Sequence, residues 1–310
     1  GSINFSSATT NNPMNVGLYS PSGVSIDTTR HIAYVADTGN NRVMAYQLNT
    51  DNSFPDYNAD FVVGQADFSQ TRPNRGSGSP AANSLRNPSR VAVDMSTGDL
   101  YVSDTGNNRV LIFASVSAND PNAVFVIGNS SFILNNSSGV VSQTRMYSPT
   151  GIAVSGSGAS TKVYVADKDF NRVLVFGKIT ANDQAAANVI GQTDYISSGP
   201  GLSQSALAGP SGVAVSSSGV LYVADTNNNR VMIWNSTISS NGQAANLVLG
   251  QTWFYSNSSG LSATAMNSPQ DVSIDASGNL FVADTTNNRV LLWNSTISTS
   301  GQAANIVLGQ

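Results

Sequence analysis

Five Asp–Arg pairs, each five residues apart, form the most prominent ionisable pattern in the chain: Asp37/Arg42, Asp104/Arg109, Asp167/Arg172, Asp225/Arg230 and Asp284/Arg289. A carboxylate and a guanidinium at that spacing could bind a charged ligand or share a proton. Five copies argue instead for a structural ion pair, expected to be bidentate, because a reaction needs one centre. Other reactive groups are scarce. His31, in a turn beside Arg30, is the only histidine, so a multi-histidine metal site is impossible. A Ser-His-Asp triad could only be built on His31, against so many serines that the arrangement carries no signal. With no cysteine there is neither a disulfide framework nor a thiolate metal site. A metal held by carboxylates alone stays open: calcium bound by Asp and backbone oxygens needs no histidine, although the acids show no clustered ligand spacing.

The pairs belong to a repeat that must position them. VADTGNNRV at 35–43 returns as VSDTGNNRV at 102–110, VADKDFNRV at 165–173, VADTNNNRV at 223–231 and VADTTNNRV at 282–290. Self-similarity at a fixed period decides architecture before any single residue does. Each copy opens on a proline, Pro21, Pro88, Pro149, Pro210 or Pro269, and holds four short apolar runs bounded by turn residues. Strand a follows the proline, strand b ends in the motif Asp, strand c begins at the motif Arg, and strand d closes the unit, as at 61–64 and 247–250. The Asn-rich link between b and c suits a tight turn, since Asn and Gly tolerate positive φ.

Composition agrees with an all-β chain. Only 10% of the 310 residues are charged, and the 18 acids are all Asp; helix surfaces are normally built from Glu, Lys and Ala. A net charge of -4 lacks the basic face that phosphate binding needs, so nucleic acid is excluded as a partner. No run of 18 apolar residues is present, so no membrane insertion is expected. Gly1-Ser2 resembles a cloning remnant, which suggests a mature or excised fragment. N-x-Ser/Thr triplets at Asn4, Asn129, Asn135, Asn136, Asn235, Asn257 and Asn294 offer glycan acceptors if the chain is secreted.

A four-stranded meander cannot bury both faces alone, so the units must stack. The fold class is therefore an all-β β-propeller of four-stranded antiparallel blades, five-bladed, with a six-bladed ring or an excerpt of a longer array as alternatives. The repeat units run 20–68, 86–132, 147–195, 208–254 and 267–310 of a single domain over 1–310. Residues 1–19, with Ile3-Asn4-Phe5 in the place of a loop aromatic, complete the last d-to-a connection. The Pro-x-Gly-Val entry followed by strand-Asp-turn-Asn-Arg-strand resembles the NHL repeat across all five units. That resemblance implies a propeller, usually six-bladed with shorter repeats than these. Propeller lyases that amidate peptides are similar in architecture but depend on several histidines and a metal.

Topology puts the b–c turns and the long d-to-a connections, such as 193–209 and 252–268, on one rim. Long loops are usually functional or disordered, so this rim is the candidate binding face, with Leu85, Met146, Leu207 and Met266 as anchors over adjoining blades. Breaks in the repeat mark candidate ligand-binding residues. Lys168, Asp169 and Phe170 replace Thr-Gly-Asn in unit three, with Phe170 expected to be exposed. Arg90 and Asp271 replace the Gly23, Gly151 and Gly212 of the other strand a entries, near a central channel. These readings imply a non-catalytic recognition or scaffolding module for a protein or carbohydrate, outside the cell or on its surface. The alternative is a hydrolase or lyase with an ion held by carboxylates. Removal of Asp225 is expected to lower stability without touching binding.

Overall fold

The computed structural model describes residues 14–135 and 139–310. Residues 1–13, including Ile3-Asn4-Phe5, lie outside that range. The described secondary structure consists of strands and 3-10 turns. Strands pair in sequence order into five antiparallel four-stranded sheets, which is the five-bladed β-propeller class expected above.

Blade 1 is β1 (Gly23–Asp27), β2 (Ile32–Asp37), β3 (Arg42–Gln47) and β4 (Phe61–Val63). Blade 2 is β5 (Arg90–Val93), β6 (Leu100–Asp104), β7 (Arg109–Phe113) and β8 (Phe125–Ile127). Blade 3 is β9 (Pro149–Ser155), β10 (Lys162–Asp167), β11 (Arg172–Phe176) and β12 (Asn188–Ile190). Blade 4 is β13 (Pro210–Val215), β14 (Leu221–Asp225), β15 (Arg230–Trp234) and β16 (Leu247–Leu249). Blade 5 is β17 (Pro269–Ile274), β18 (Leu280–Asp284), β19 (Arg289–Trp293) and β20 (Ile306–Leu308).

The chain folds as two compact units. The first holds blades 1 and 2, where Tyr34, Ala36, Val43 and Val63 pack face to face on Val91, Val102, Leu111 and Phe113. The second holds blades 4 and 5 and most of blade 3. In it Tyr164, Val173 and Ile190 meet Val213, Val223 and Met232, and Tyr222, Val231 and Ile233 meet Val272, Val282 and Leu291. Alternation along each strand supplies both faces, so a middle blade has two cores and no solvent face.

Strand a is the inner strand of each blade and approaches its neighbour closely. A Cβ on Gly23 would come within 2.8 Å of Ser89 O, and one on Gly212 within 2.7 Å of Asp271 Cα. Only glycine admits that contact.

The b–c link is a single 3-10 turn, Thr38–Asn40 in blade 1, ended by Asn41 at φ 54°. Asn108, Asn171, Asn229 and Asn288 repeat that left-handed position at φ 52–55°. Positive φ therefore falls on the Asn that immediately precedes the motif Arg. Gly39 is glycine for a different reason: a Cβ there would lie 2.3 Å from the Tyr19 ring.

Candidate functional site

Each motif Asp is buried, and those of blades 1, 2, 4 and 5 bind three donors. Asp225 Oδ2 accepts from Arg230 Nε at 2.7 Å and Asn228 Nδ2 at 2.8 Å, while Oδ1 accepts the Ala208 N–H at 2.7 Å. The Arg Nε–Asp Oδ2 distance is 2.7–2.8 Å in every blade. The expected bidentate geometry is thus corrected: one guanidinium edge meets the carboxylate, and the terminal nitrogens turn outward to backbone carbonyls. Arg230 donates to Phe254, Ser203 and Ala206 oxygens, and Arg42 to those of Phe68, Met14 and Gly17. The reason is demand: the long connections carry carbonyls that no strand satisfies, and a buried carbonyl must be paired. Burial pushes the Asp104 and Asp225 carboxyls above the usual range, with Arg109 and Arg230 pulling the other way.

The same turn fastens the rim a second time. Asn229 Nδ2 donates to Asn257 O at 2.9 Å and its Oδ1 accepts the Ser268 N–H at 2.7 Å, so one side chain grips both ends of a connection. Asn41 does this with Thr71 and Asn87, and Asn171 with Ser198 and Gly209. The residue after the strand d glycine is a third fastener. Gln65, Gln192 and Gln251 each donate to a turn Asn carbonyl and to the following loop. Sequence reading passed over this Gly-Gln pair although it recurs after four of the five d strands, with Gly128-Asn129 in blade 2. Leu85, Met146, Leu207 and Met266 are buried as loop anchors.

Beyond those fasteners the rim of the second unit exposes large apolar side chains. Trp253 and Tyr255, on either side of the clamped Phe254, are each 73% exposed, Ile196 is 76% and Leu261 is 63%. Composition could not single them out, because the same loop positions hold buried anchors in neighbouring residues.

The predicted break in unit three is placed differently from expectation. Phe170 is buried at 5% exposure; it takes the position that Asn40, Asn107, Asn228 and Asn287 hold against their Asp, and Arg172 lies 5.2 Å from its ring centre. A guanidinium over a ring face substitutes for the lost carboxamide bond. Lys168 is half-buried and Asp169 exposed. Lys168 replaces a threonine that in blades 1, 2 and 4 donates to the next proline carbonyl, Thr38 to Pro88, Thr105 to Pro149 and Thr226 to Pro269. In blade 3 Thr150 Oγ1 takes over, donating to Ser211 O at 3.0 Å. Arg90 and Asp271 are both half-buried at strand a entries, on blade 2 of the first unit and blade 5 of the second. Arg90 donates to the Ser22 and Ser89 carbonyls. Its charge is therefore used at least partly in joining blades 1 and 2.

On the opposite side of blades 4 and 5, their a–b and c–d loops enclose a cleft of about 530 Å3. Its lining includes Ser218, Tyr222, Asn235, Ser277, Asn294 and Thr296, and none of the residues lining it is charged. Asn235 and Asn294, both exposed, are also two of the glycan-acceptor triplets; Asn257 is exposed and Asn129 buried. Asn4 and Asn136 lie outside the described residues. His31 Nδ1 meets Asn52 Oδ1 at 2.9 Å. Among the described residues no three His, Asp or Glu side chains converge as a metal site, and no helix is long and apolar enough to cross a membrane.

The NHL repeat family matches the chain at residues 85–113, 207–234 and 266–291. No curated protein matches it. Among solved structures, U3-55K superposes with a TM-score of 0.52 at 10% identity, covering 90% of this chain and 62% of that one. Streptogramin B lyase gives 0.48 at 11% identity, covering 90% and 66%. A nidogen–laminin complex gives 0.49 at 13%, covering 88% and 74%. The chain thus spans under two thirds of the first two proteins, and at such identities the likeness is one of fold alone.

Proposed function

Starting from the premise that this chain is an NHL-repeat β-propeller, we propose that it is a recognition module that binds a protein partner through its long-loop rim. The observation that carries this reading is the exposure of Trp253, Tyr255, Ile196 and Leu261 on the rim of the second unit. Exposed large apolar residues on a soluble surface mark interaction sites when they gather on one face, and Trp and Tyr dominate binding energy where interfaces have been dissected. Here the backbone beneath them is fixed: Arg230 holds Phe254 O, Asn229 holds Asn257 O and Gln251 holds Ser258 O. Anchors on a pre-organised loop lose little entropy on binding. The polar residues between them, Ser256, Asn257 and Ser258, supply adaptable hydrogen bonds at the margin.

The test is to screen the protein and its Trp253→Ala/Tyr255→Ala variant against arrays of secreted proteins and of glycans. Protein ligands are expected for the parent, with binding at least tenfold weaker in the variant at an unchanged unfolding midpoint. Ligands that bind both forms equally would place recognition elsewhere. Ligands found only among glycans would replace the protein reading with a carbohydrate one.

A further inference from the structure

The cleft of blades 4 and 5 is open where the corresponding place in blades 1 and 2 is bridged. In blade 1 the a–b turn carries Arg30, whose guanidinium donates to Asp27 Oδ2 at 3.1 Å and reaches the Met95 and Ser96 carbonyls in the a–b turn of blade 2 at 3.3 and 3.5 Å. Arg30 lies so close to that turn that a Cβ on Gly98 would come within 2.5 Å of its Nε. Tyr34, on β2, is fully buried. The a–b turn of blade 4 reads Ser216-Ser217-Ser218-Gly219 and that of blade 5 Asp275-Ala276-Ser277-Gly278. A serine is too short to cross between blades, and Ser216, Ser218, Ser277 and Gly278 border the open cleft.

Tyr222, the counterpart of Tyr34, lines this cleft. It is 8% exposed, its hydroxyl makes no hydrogen bond among the described residues, and burial raises its phenol above the usual range. A buried hydroxyl gives up its hydration without return unless a ligand meets it. The walls offer further polar groups. The backbone N–H groups of Asn235 and Asn294 are fixed by Asn246 and Asn305 at 2.8 and 3.0 Å. Their side-chain carboxamides make no bond among the described residues, so both remain available at the cleft. The rest of the lining includes Val220, Ile233, Ile274 and Ile297, which continue into the core that blades 4 and 5 share.

Size, charge and hydrogen-bonding character narrow the occupant. Small-molecule sites run to about 300–1,000 Å3, and a cleft of about 530 Å3 accommodates one or two sugar-sized rings. No lining side chain is charged, so a charged ligand would lose hydration without gaining an ionic partner. Hydroxyls and carboxamides each carry donors and acceptors, and they match ligand groups that do the same, which are alcohols. The aliphatic side chains between them suit the C–H face of a pyranose.

We propose that this cleft binds a neutral sugar of one or two rings, with Tyr222, Asn235 and Asn294 as its hydrogen-bonding groups. Both walls belong to the second unit, on the side opposite Trp253 and Tyr255, so the site does not depend on protein binding at the rim.

The test is titration of the isotope-labelled full chain with free glucose, galactose, mannose, N-acetylglucosamine, maltose and cellobiose, followed by NMR at the Asn235 and Asn294 side-chain amides. At least one of these sugars should shift both amides saturably, and glucuronic acid should bind at least tenfold more weakly than the best of them. Tyr222→Phe, which removes only the hydroxyl, should weaken binding at least fivefold without lowering the unfolding midpoint. Ser218→Arg, which gives blade 4 the long side chain that Arg30 gives blade 1, should abolish it. The Trp253→Ala/Tyr255→Ala variant should bind the same sugar with unchanged affinity, so failure here and failure at the rim are told apart. Amides that none of these sugars moves overturn the proposal. So does glucuronic acid binding as tightly as the best neutral sugar, or an affinity that either Tyr222→Phe or Ser218→Arg leaves unchanged.

Discussion

Ser103 occupies a position where the other blades carry Ala36, Ala166, Ala224 and Ala283. Its hydroxyl is buried and meets no partner among the described residues, so it forfeits its hydration for nothing. An unsatisfied buried polar group costs about 1–3 kcal/mol. Ser103→Ala is accordingly expected to stabilise the protein by about 1 kcal/mol, read as a higher midpoint in denaturant at unchanged slope; a lower midpoint would mean that the hydroxyl has a partner. Phe170 is the converse case. Read from sequence, an aromatic in an Asn-rich turn belongs outside, because the turn is polar in every other copy. The expectation missed that the residue two before the motif Arg points inward at the Asp, as Asn228 does, so whatever replaces it is buried too. Side-chain direction inside a turn was not legible, whereas the repeated Asp and Arg were, because their spacing recurs without exception.

The b–c turn is the element that joins scaffold to rim. Its aspartate was expected to act on stability alone, yet Arg230, oriented by Asp225, holds the Phe254 carbonyl between Trp253 and Tyr255. Removing one partner of a buried ion pair costs about 3–5 kcal/mol. Asp225→Ala should lower stability by about that amount and also loosen the loop, seen as broader and faster Trp253 side-chain motion by NMR. Asp37→Ala, in blade 1, should cost a similar amount while leaving Trp253 unchanged. Equal behaviour of the two variants at Trp253 would refute the coupling. Strand positions and the sharing of a rim by turns and long loops were readable from periodicity. The caps on the outer strands, in which Asn119, Asn182, Asn241 and Ser300 accept the N–H of Val62, Val126, Val189 and Val248 and the residue after each donates back to the same valine, were not, because Asn-Asp, Asn-Gly and Ser-Gly share a backbone conformation and an acceptor rather than a residue type.

At the scale of the molecule, buried phenols set a limit on alkaline stability. Burial raises Tyr34 and Tyr46 from 10.0 to about 12. In the unfolded chain these groups lose protons near pH 10, before the folded form does, so folding is favoured fully below that value and progressively less as pH climbs through 12. Unfolding followed by circular dichroism should therefore set in between pH 10 and 12 and coincide with phenolate absorbance. Ionisation complete at pH 10.5 with the fold intact would contradict it. The capped outer strands carry a different consequence, one that belongs to synthesis. Every cap is borne by the following blade, 57 residues downstream for Val62 and 52 for Val248. At about 5–20 residues per second, a nascent blade leaves the ribosome with its outer edge bare for several seconds. The brevity of strand d, a single outward amide to protect, is what makes that interval tolerable.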